Sequence, residues 1–259
     1  MRIPHLLGLL AILGCNIVGG AEDSASPTSI VPFETVLVDS VIDGDSFRTA
    51  DEEFRLFGVN APERGECFGD ESHQWLTDWI LDQSVSVEPQ GFDQFDRIVA
   101  NVDVGSTSIN HEATATGHAF ALSNTRVTLV EGEIAAMESG LGLWATDVCG
   151  ASGPKAEMSV EEVIYNPAGP DASELVVIRN FSDTEIDLTG FVLRDESSQN
   201  RFHFPPLTLP AGHKVGVTTG CASGGEILAW CTDTPVWNND GDAVILLDGF
   251  GRVVAFHRY

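Results

Sequence analysis

Short β-type runs broken by turn residues recur along most of this chain, and that pattern limits its fold more than any other feature. In the first half they are Val36–Val38, Ile42, Ser46–Thr49, Phe54–Val59, Val85–Glu88 and Arg97–Val104. Each is bounded by Gly, Pro, Asn or Asp, so they read as strands, with Asp43-Gly44-Asp45 as a hairpin turn in which Gly44 supplies an unusual backbone angle. Helical spacing is confined to three places. Residues 71–82 follow Asp70 as a cap and carry the stripe Trp75, Leu76, Trp79 and Ile80, while residues 109–116 and 130–139 run into Gly117 and Gly140 as helix-ending glycines. Strands followed by helices predict a small β-barrel with helical packing. From Val160 onward the runs Val163–Tyr165, Glu174–Ile178, Leu193, Phe202–Phe204, Val215–Val217 and Val244–Leu247 occur with no helical period, which predicts a β-sandwich. The Gly- and Pro-containing stretch 151–156 separates the two, giving expected domains at 35–150 and 157–259.

Residues 1–20 read as an export signal: Arg2 precedes the apolar Leu6–Leu13, and Ile12-Leu13-Gly14-Cys15 resembles a lipobox that would leave Cys15 lipidated. Cleavage near Gly20-Ala21 without lipidation is the alternative. Residues 21–34 are small and polar, as in a tether. The expected location is therefore secreted or cell-surface, with membrane contact only through a lipid anchor. Apart from Cys15 there are four cysteines, an even number that suits an exported chain with disulfides Cys67–Cys149 and Cys221–Cys231. No Cys-x-x-Cys or His pair supports a zinc site, and His73, His111 and His118 are expected at the surface.

Charge excludes a simple electrostatic nucleic-acid or lipid binder. There are 39 acidic and 13 basic residues, and only Lys155 and Lys214 are lysines. With a net charge of −26, any phosphate-binding site must be local and cation-assisted. Such acidity suits a saline habitat, where ionic strength screens repulsion.

Within the first half, Asp45, Asn60 and Glu63 fall at strand ends or turns, and Arg55 and Arg97 lie in or beside strands. Hard cations take oxygen ligands from such turns. Phosphodiester cleavage also needs a base for water and donors for developing charge, and the guanidinium fork fits two phosphate oxygens. The blocks Val41-Ile-Asp-Gly-Asp-Ser46, Arg55-Leu-Phe-Gly-Val-Asn-Ala-Pro-Glu63 and Asp93-Gln-Phe-Asp-Arg97, with Ile109-Asn110 and Gly142-Leu-Trp144 in order after them, resemble the staphylococcal-nuclease family. The resemblance implies an OB-fold barrel and Ca²⁺-dependent hydrolysis of DNA and RNA. It implies metal binding by Asp45 and Asn60, phosphate binding by Arg55 and Arg97, and orientation of water by Glu63. Asn60 stands where the best-known member has a second aspartate, which removes a charge from the cation site. Phe95 takes the place of a frequent tyrosine and can stack on a base or sugar. Backbone-tracking lysines are absent, so weak binding of long polymers is expected.

The second half shows no catalytic cluster. Glu162–Pro167, Glu174–Asn180, Asp187–Phe191 and Pro235–Asp242 resemble the lamin-tail domain, which implies an immunoglobulin-like sandwich with a binding or positioning role, its ligand unknown. Trp75, Trp79, Trp144 and Trp237 are read as packing residues. The whole is expected to be a mainly β chain with helices, an exported monomeric nuclease acting on nucleic acid. Two alternatives stay open: a catalytically degenerate barrel in which Asn60 marks a lost metal site, and a surface adhesion protein that works through its second half.

Overall fold

A computed structural model describes residues 33–168, 173–197, 199–232 and 234–259. The expected signal, Cys15 and most of the 21–34 tether lie outside the described residues. The first half contains β1 (Glu34–Leu37), β2 (Ser40–Val41), β3 (Ser46–Arg48), β4 (Glu53–Leu56), β5 (Val59–Asn60), α1 (Gly69–Ile80), β6 (Ser84–Phe92), β7 (Ile98–Val104), β8 (Thr107–Ser108), α2 (Ile109–Ala115), β9 (Phe120–Ala121) and α3 (Val127–Ser139). The main sheet runs β1-β6-β7-β4-β3-β2, with β8 on the far end of β7, and curls into a half-barrel where the sequence predicted a small β-barrel. All its pairings are antiparallel except β4 with β7.

The alternation seen in the sequence points Phe47, Phe54, Leu56, Val85, Val87, Ala100 and Val102 inward, where Leu76 and Ile80 of α1 and Ile109 of α2 close the core. Asn110 is buried and pins α2 to the sheet: its amide donates to the carbonyls of Phe57 (2.9 Å) and Ala100 (3.2 Å) and its oxygen accepts the Val102 N–H at 2.8 Å. Two local expectations are corrected. Helix α1 starts at Gly69, not after a cap at Asp70, because Phe68 takes the left-handed conformation and Gly69 packs so tightly that a Cβ would stand 1.9 Å from the Glu63 carbonyl oxygen. Gly44 does not adopt a positive φ. It is required because a Cβ there would meet the side chains of Ala61 and Ser72 at 2.6 Å each. His118 also departs from expectation. It is half-buried, stacked on Trp75 with centroids 4.9 Å apart, and burial pulls its pKa down to about 4.

The second half contains β10 (Met158–Ile164), β11 (Leu175–Asn180), β12 (Ile186–Asp187), β13 (Val192–Arg194), β14 (Arg201–His203), β15 (Thr208–Leu209), β16 (Lys214–Thr218), β17 (Ile227–Ala229), β18 (Ala243–Leu247) and β19 (Val253–Arg258). One sheet runs β10-β11-β16-β17 and the other β14-β13-β18-β19. Their inner faces share a core that includes Val176, Ile178, Leu193, Val215, Val244, Leu246 and the buried Trp237. Val236 and Trp237 of the Pro235–Asp242 segment are held inside: the Glu174 carboxylate accepts their N–H groups at 2.8 and 3.2 Å.

The two halves are packed together as one body. A third apolar cluster joins Phe120, Ala136, Leu143 and Trp144 of the barrel to Ala243, Ile245 and Val253 of the sandwich. Phe256 meets Trp144 edge-on at 5.2 Å. Segment 151–156, read from the sequence as a linker, is tied down: Arg252 donates to the carbonyls of Thr146 (2.8 Å) and Gly153 (3.0 Å), and Lys155 donates to that of Trp144 at 2.8 Å. Both expected disulfides are present, Cys67–Cys149 and Cys221–Cys231. The first closes a separation of 82 residues, which in the chain-entropy picture is worth about 4–5 kcal/mol against the unfolded state.

Candidate active site

Strand register assembles the site. Ser46 on β3 pairs with Arg55 on β4, and β4 lies beside β7, where Phe54 pairs with Ile98. Asp45, Arg55 and Arg97, which are far apart in sequence, therefore come to the same end of three adjacent strands. Asn60 ends β5, and Glu63 follows on a loop secured by the Cys67–Cys149 bridge. A cleft of about 520 Å³ opens there, lined by Asp43, Arg55, Asn60, Glu63, Phe95 and Arg97 among others. Of the six catalytic, metal-binding and substrate-binding positions expected from the sequence, Arg55, Asn60, Glu63, Phe95 and Arg97 line this cleft, and Asp45 is buried behind it, joined to it through the ion pair with Arg55.

The floor is a single network. Arg55 makes an ion pair with one Asp45 carboxylate oxygen and donates to the Asn60 side-chain oxygen at 2.8 Å. The other Asp45 oxygen accepts the Ala61 N–H at 2.8 Å. Ser46 links the two arginines, donating its hydroxyl to Asp45 at 2.8 Å while accepting from Arg97 at 3.3 Å. Arg97 is oriented by Asp93 at 2.7 Å, and its guanidinium lies over the exposed Phe95 ring at 5.3 Å. Ser46 and Asp93 were not singled out from the sequence. Asp93 was legible in principle, since Asp93-x-x-x-Arg97 has the spacing of a tight-turn ion pair.

Charge in the cleft is unevenly balanced. Burial pushes the Asp45 carboxyl up to about 6; Arg55 pulls the other way and Asp43 adds to the rise. Glu63 is raised as well, by partial burial and then by Asp43 and Glu66. Burial alone would raise Asp93, but the backbone N–H groups of Phe95 and Arg97 and the Arg97 side chain together hold it below its ordinary value. A cleft carboxylate with raised proton affinity is suited to accept a proton from water, and Glu63 is exposed enough to reach one.

The donor set suits a hard divalent cation in kind. Asp45 offers a carboxylate, Asn60 a neutral amide oxygen, and Asp43 adds a second carboxylate at the rim. The Asp45 pKa is raised chiefly by burial, and a bound cation would favour its charged form. Among the described residues no three His, Cys, Asp or Glu side chains already form a cage, and Arg55 now holds oxygens from both Asp45 and Asn60.

The second half contributes to the same cleft. Ser197, Gln199 and Arg201 line it, and Arg201 pairs with Glu66 at 2.6 Å. None of these was a candidate from the sequence, because nothing local signals that they face the barrel.

A curled nucleolytic-type barrel whose floor carries paired arginines and carboxylates, closed on one side by an immunoglobulin-like sandwich, defines the class. Residues 53–146 match the family described as Staphylococcal nuclease homologue and, after them, residues 151–259 match Lamin Tail Domain. Among curated proteins it is similar to the Probable staphylococcal-like nuclease CAN4 of Oryza sativa subsp. japonica, 35% identical over 97 residues covering 37% of this chain and 20% of the relative. It is similar to an Uncharacterized endonuclease of Haemophilus influenzae at 29% over 119 residues, covering 43% and 66%. It also resembles the Probable endonuclease LCL3 of Komagataella phaffii at 31% over 111 residues, covering 36% and 49%. The chain thus spans from a fifth to just under two thirds of these relatives' lengths.

Proposed function

We propose that this protein is an exported, monomeric, Ca²⁺-dependent nuclease that hydrolyses phosphodiester bonds of DNA and RNA, and that it is held at the cell surface through Cys15. The observation that carries the reading is the convergence of Arg55, Arg97 and Glu63 on one cleft above Asp45 and Asn60. In the reaction, Arg97 binds a non-bridging oxygen of the phosphate, with Asp93 and Ser46 fixing its fork. Arg55 meets the charge that builds up as the phosphorus becomes five-coordinate. Glu63 orients the attacking water and takes its proton. Asp45 and Asn60 would hold Ca²⁺, which when bound supplies positive charge to the phosphate oxygens. Phe95 stacks on a flanking base or sugar. The two disulfides support an oxidising compartment.

Release of acid-soluble nucleotides from denatured DNA, measured with Ca²⁺, Mg²⁺ or chelator, tests the reading. Release is expected with Ca²⁺ and should stop with chelator. Asn60, whose oxygen Arg55 already holds, favours one rival, a barrel that binds without cleaving. No Ca²⁺-dependent release at any concentration would establish that rival.

A further inference from the structure

We propose that the lamin tail domain is part of the substrate cleft, and that Arg201 is a third phosphate-binding arginine, which contacts the phosphodiester next to the scissile one. The inference rests on the nuclease reading above.

Three observations support it. First, Arg201 lines the same cleft of about 520 Å³ as Arg55 and Arg97, and its guanidinium is partly exposed there. Three of the chain's 13 basic residues line this one cleft, where they offset the carboxylates of Asp43, Glu63, Glu66 and Asp93 and offer guanidinium groups to a phosphate. Second, hydrogen bonds hold the hairpin bearing Arg201 against the barrel. Arg201 opens β14 opposite Arg194 of β13, and the intervening turn is held by the buried Asp195, whose carboxylate accepts from Ser197 (2.8 Å) and Asn200 (2.7 Å). Asn60, in the cleft itself, donates to the Glu196 carbonyl at 2.9 Å, and the Glu196 carboxylate accepts the Ser123 N–H at 2.9 Å. The hairpin is thus bonded directly to a residue of the floor. Third, Arg201 is paired with Glu66, an ion pair in which both partners keep solvent contact (25% and 34% exposed). A phosphate entering the cleft can reach the solvent-facing part of this guanidinium and compete with Glu66 for it.

The same contact explains how an acidic barrel without backbone-tracking lysines can hold a strand. The sandwich adds one guanidinium to the two that the barrel provides.

The test uses the full chain. Binding of a fluorescently labelled phosphorothioate single-stranded DNA of six to eight nucleotides is followed by anisotropy across salt concentrations, and cleavage of the unmodified oligonucleotide is assayed in parallel. Arg201→Ala should weaken binding roughly tenfold and lower the slope of log K against log salt by about one phosphate contact, with Arg201→Lys in between. Glu66→Gln, which weakens the pair that competes for Arg201, should tighten binding. A purely structural role for the pair would make both variants bind more weakly. Parent-like affinity and salt slope in Arg201→Ala, or weakened binding in Glu66→Gln, would overturn the inference while parental cleavage leaves the nuclease reading standing. If the parent binds without cleaving and Arg201→Ala still loses affinity, the nuclease reading falls and the binding role of Arg201 is supported.

Discussion

Asp45 has neighbours that pull its charge in opposite directions, and the outcome sets the pH behaviour of the site. Burial and Asp43 favour the neutral acid, Arg55 favours the carboxylate, and the balance lies at about 6 against an ordinary 3.8. A carboxyl raised in this way is protonated in the folded state where the unfolded chain has already released its proton. It therefore costs native stability as pH rises from about 4 to about 6, and that cost remains above it. Function needs the opposite form, since a protonated Asp45 cannot hold a cation and a protonated Glu63 cannot accept a proton. Activity is expected to fall as pH drops through about 6. Asp43→Asn keeps the acceptor for the Asp45 N–H (3.0 Å) but removes a charge that raises both carboxyls, so the acid limb of kcat/KM should move to lower pH. A pH–rate profile in which that limb stays where it is would count against the electrostatic account. Removing a group that meets the transition state has a larger effect: Arg55→Ala, Arg97→Ala and Glu63→Gln should each lower turnover by at least ~10² on denatured DNA. Three variants with parental turnover would show that the residues are misassigned. The five positions Asp45, Arg55, Asn60, Glu63 and Arg97 were readable from their motif blocks. Of their partners, Asp93 was legible in principle from its spacing to Arg97, whereas Ser46 and Glu66 were not, because a side-chain partner depends on register and loop path.

At the scale of elements, the site depends on how closely β3 and α1 approach the β5 turn. The sequence suggested that Gly44 serves a backbone angle; the structure shows that it serves space, with Ala61 and Ser72 each 2.6 Å from where a Cβ would be. Gly44→Ala must push on Ala61, whose N–H holds one Asp45 oxygen at 2.8 Å. A loss of about 1–3 kcal/mol in denaturant unfolding is expected from overpacking, together with reduced cleavage. Unchanged stability would mean that α1 shifts to make room at no cost. The strands themselves were legible because inward apolar and outward polar residues alternate along β3, β4, β6 and β7. The short pairings β12–β15 and β16–β17 were not legible, since two- or three-residue strands carry no periodicity and are fixed by what they pack against.

For the whole molecule, the joint between the halves is as much a part of the protein as either core. Arg258, on the last strand, pairs at 2.6 Å with Glu133 of α3, which is 1% exposed, and donates to the Ala121 carbonyl at 2.8 Å. Burial raises the Glu133 pKa and Arg258 opposes that rise. Arg258→Ala leaves a buried carboxylate without its counter-charge, a change worth about 3–5 kcal/mol. Because Glu133 in the variant can escape by taking up a proton, the deficit should be larger at pH 7 than at pH 5. Thermal unfolding at both values measures it, and an equal deficit would indicate that Glu133 is not the group responsible. The order of blocks along the chain determined the two fold classes, the cysteine pairs and the five cleft residues, because strand alternation, turn chemistry and motif spacing are local and survive in one dimension. Only the tertiary structure decided that the halves share an apolar seam, that the supposed linker is tied down, and that a sandwich arginine enters the barrel's cleft. Most of those contacts join residues about a hundred positions apart or more, and the shape complementarity that selects them leaves no periodic trace in the chain.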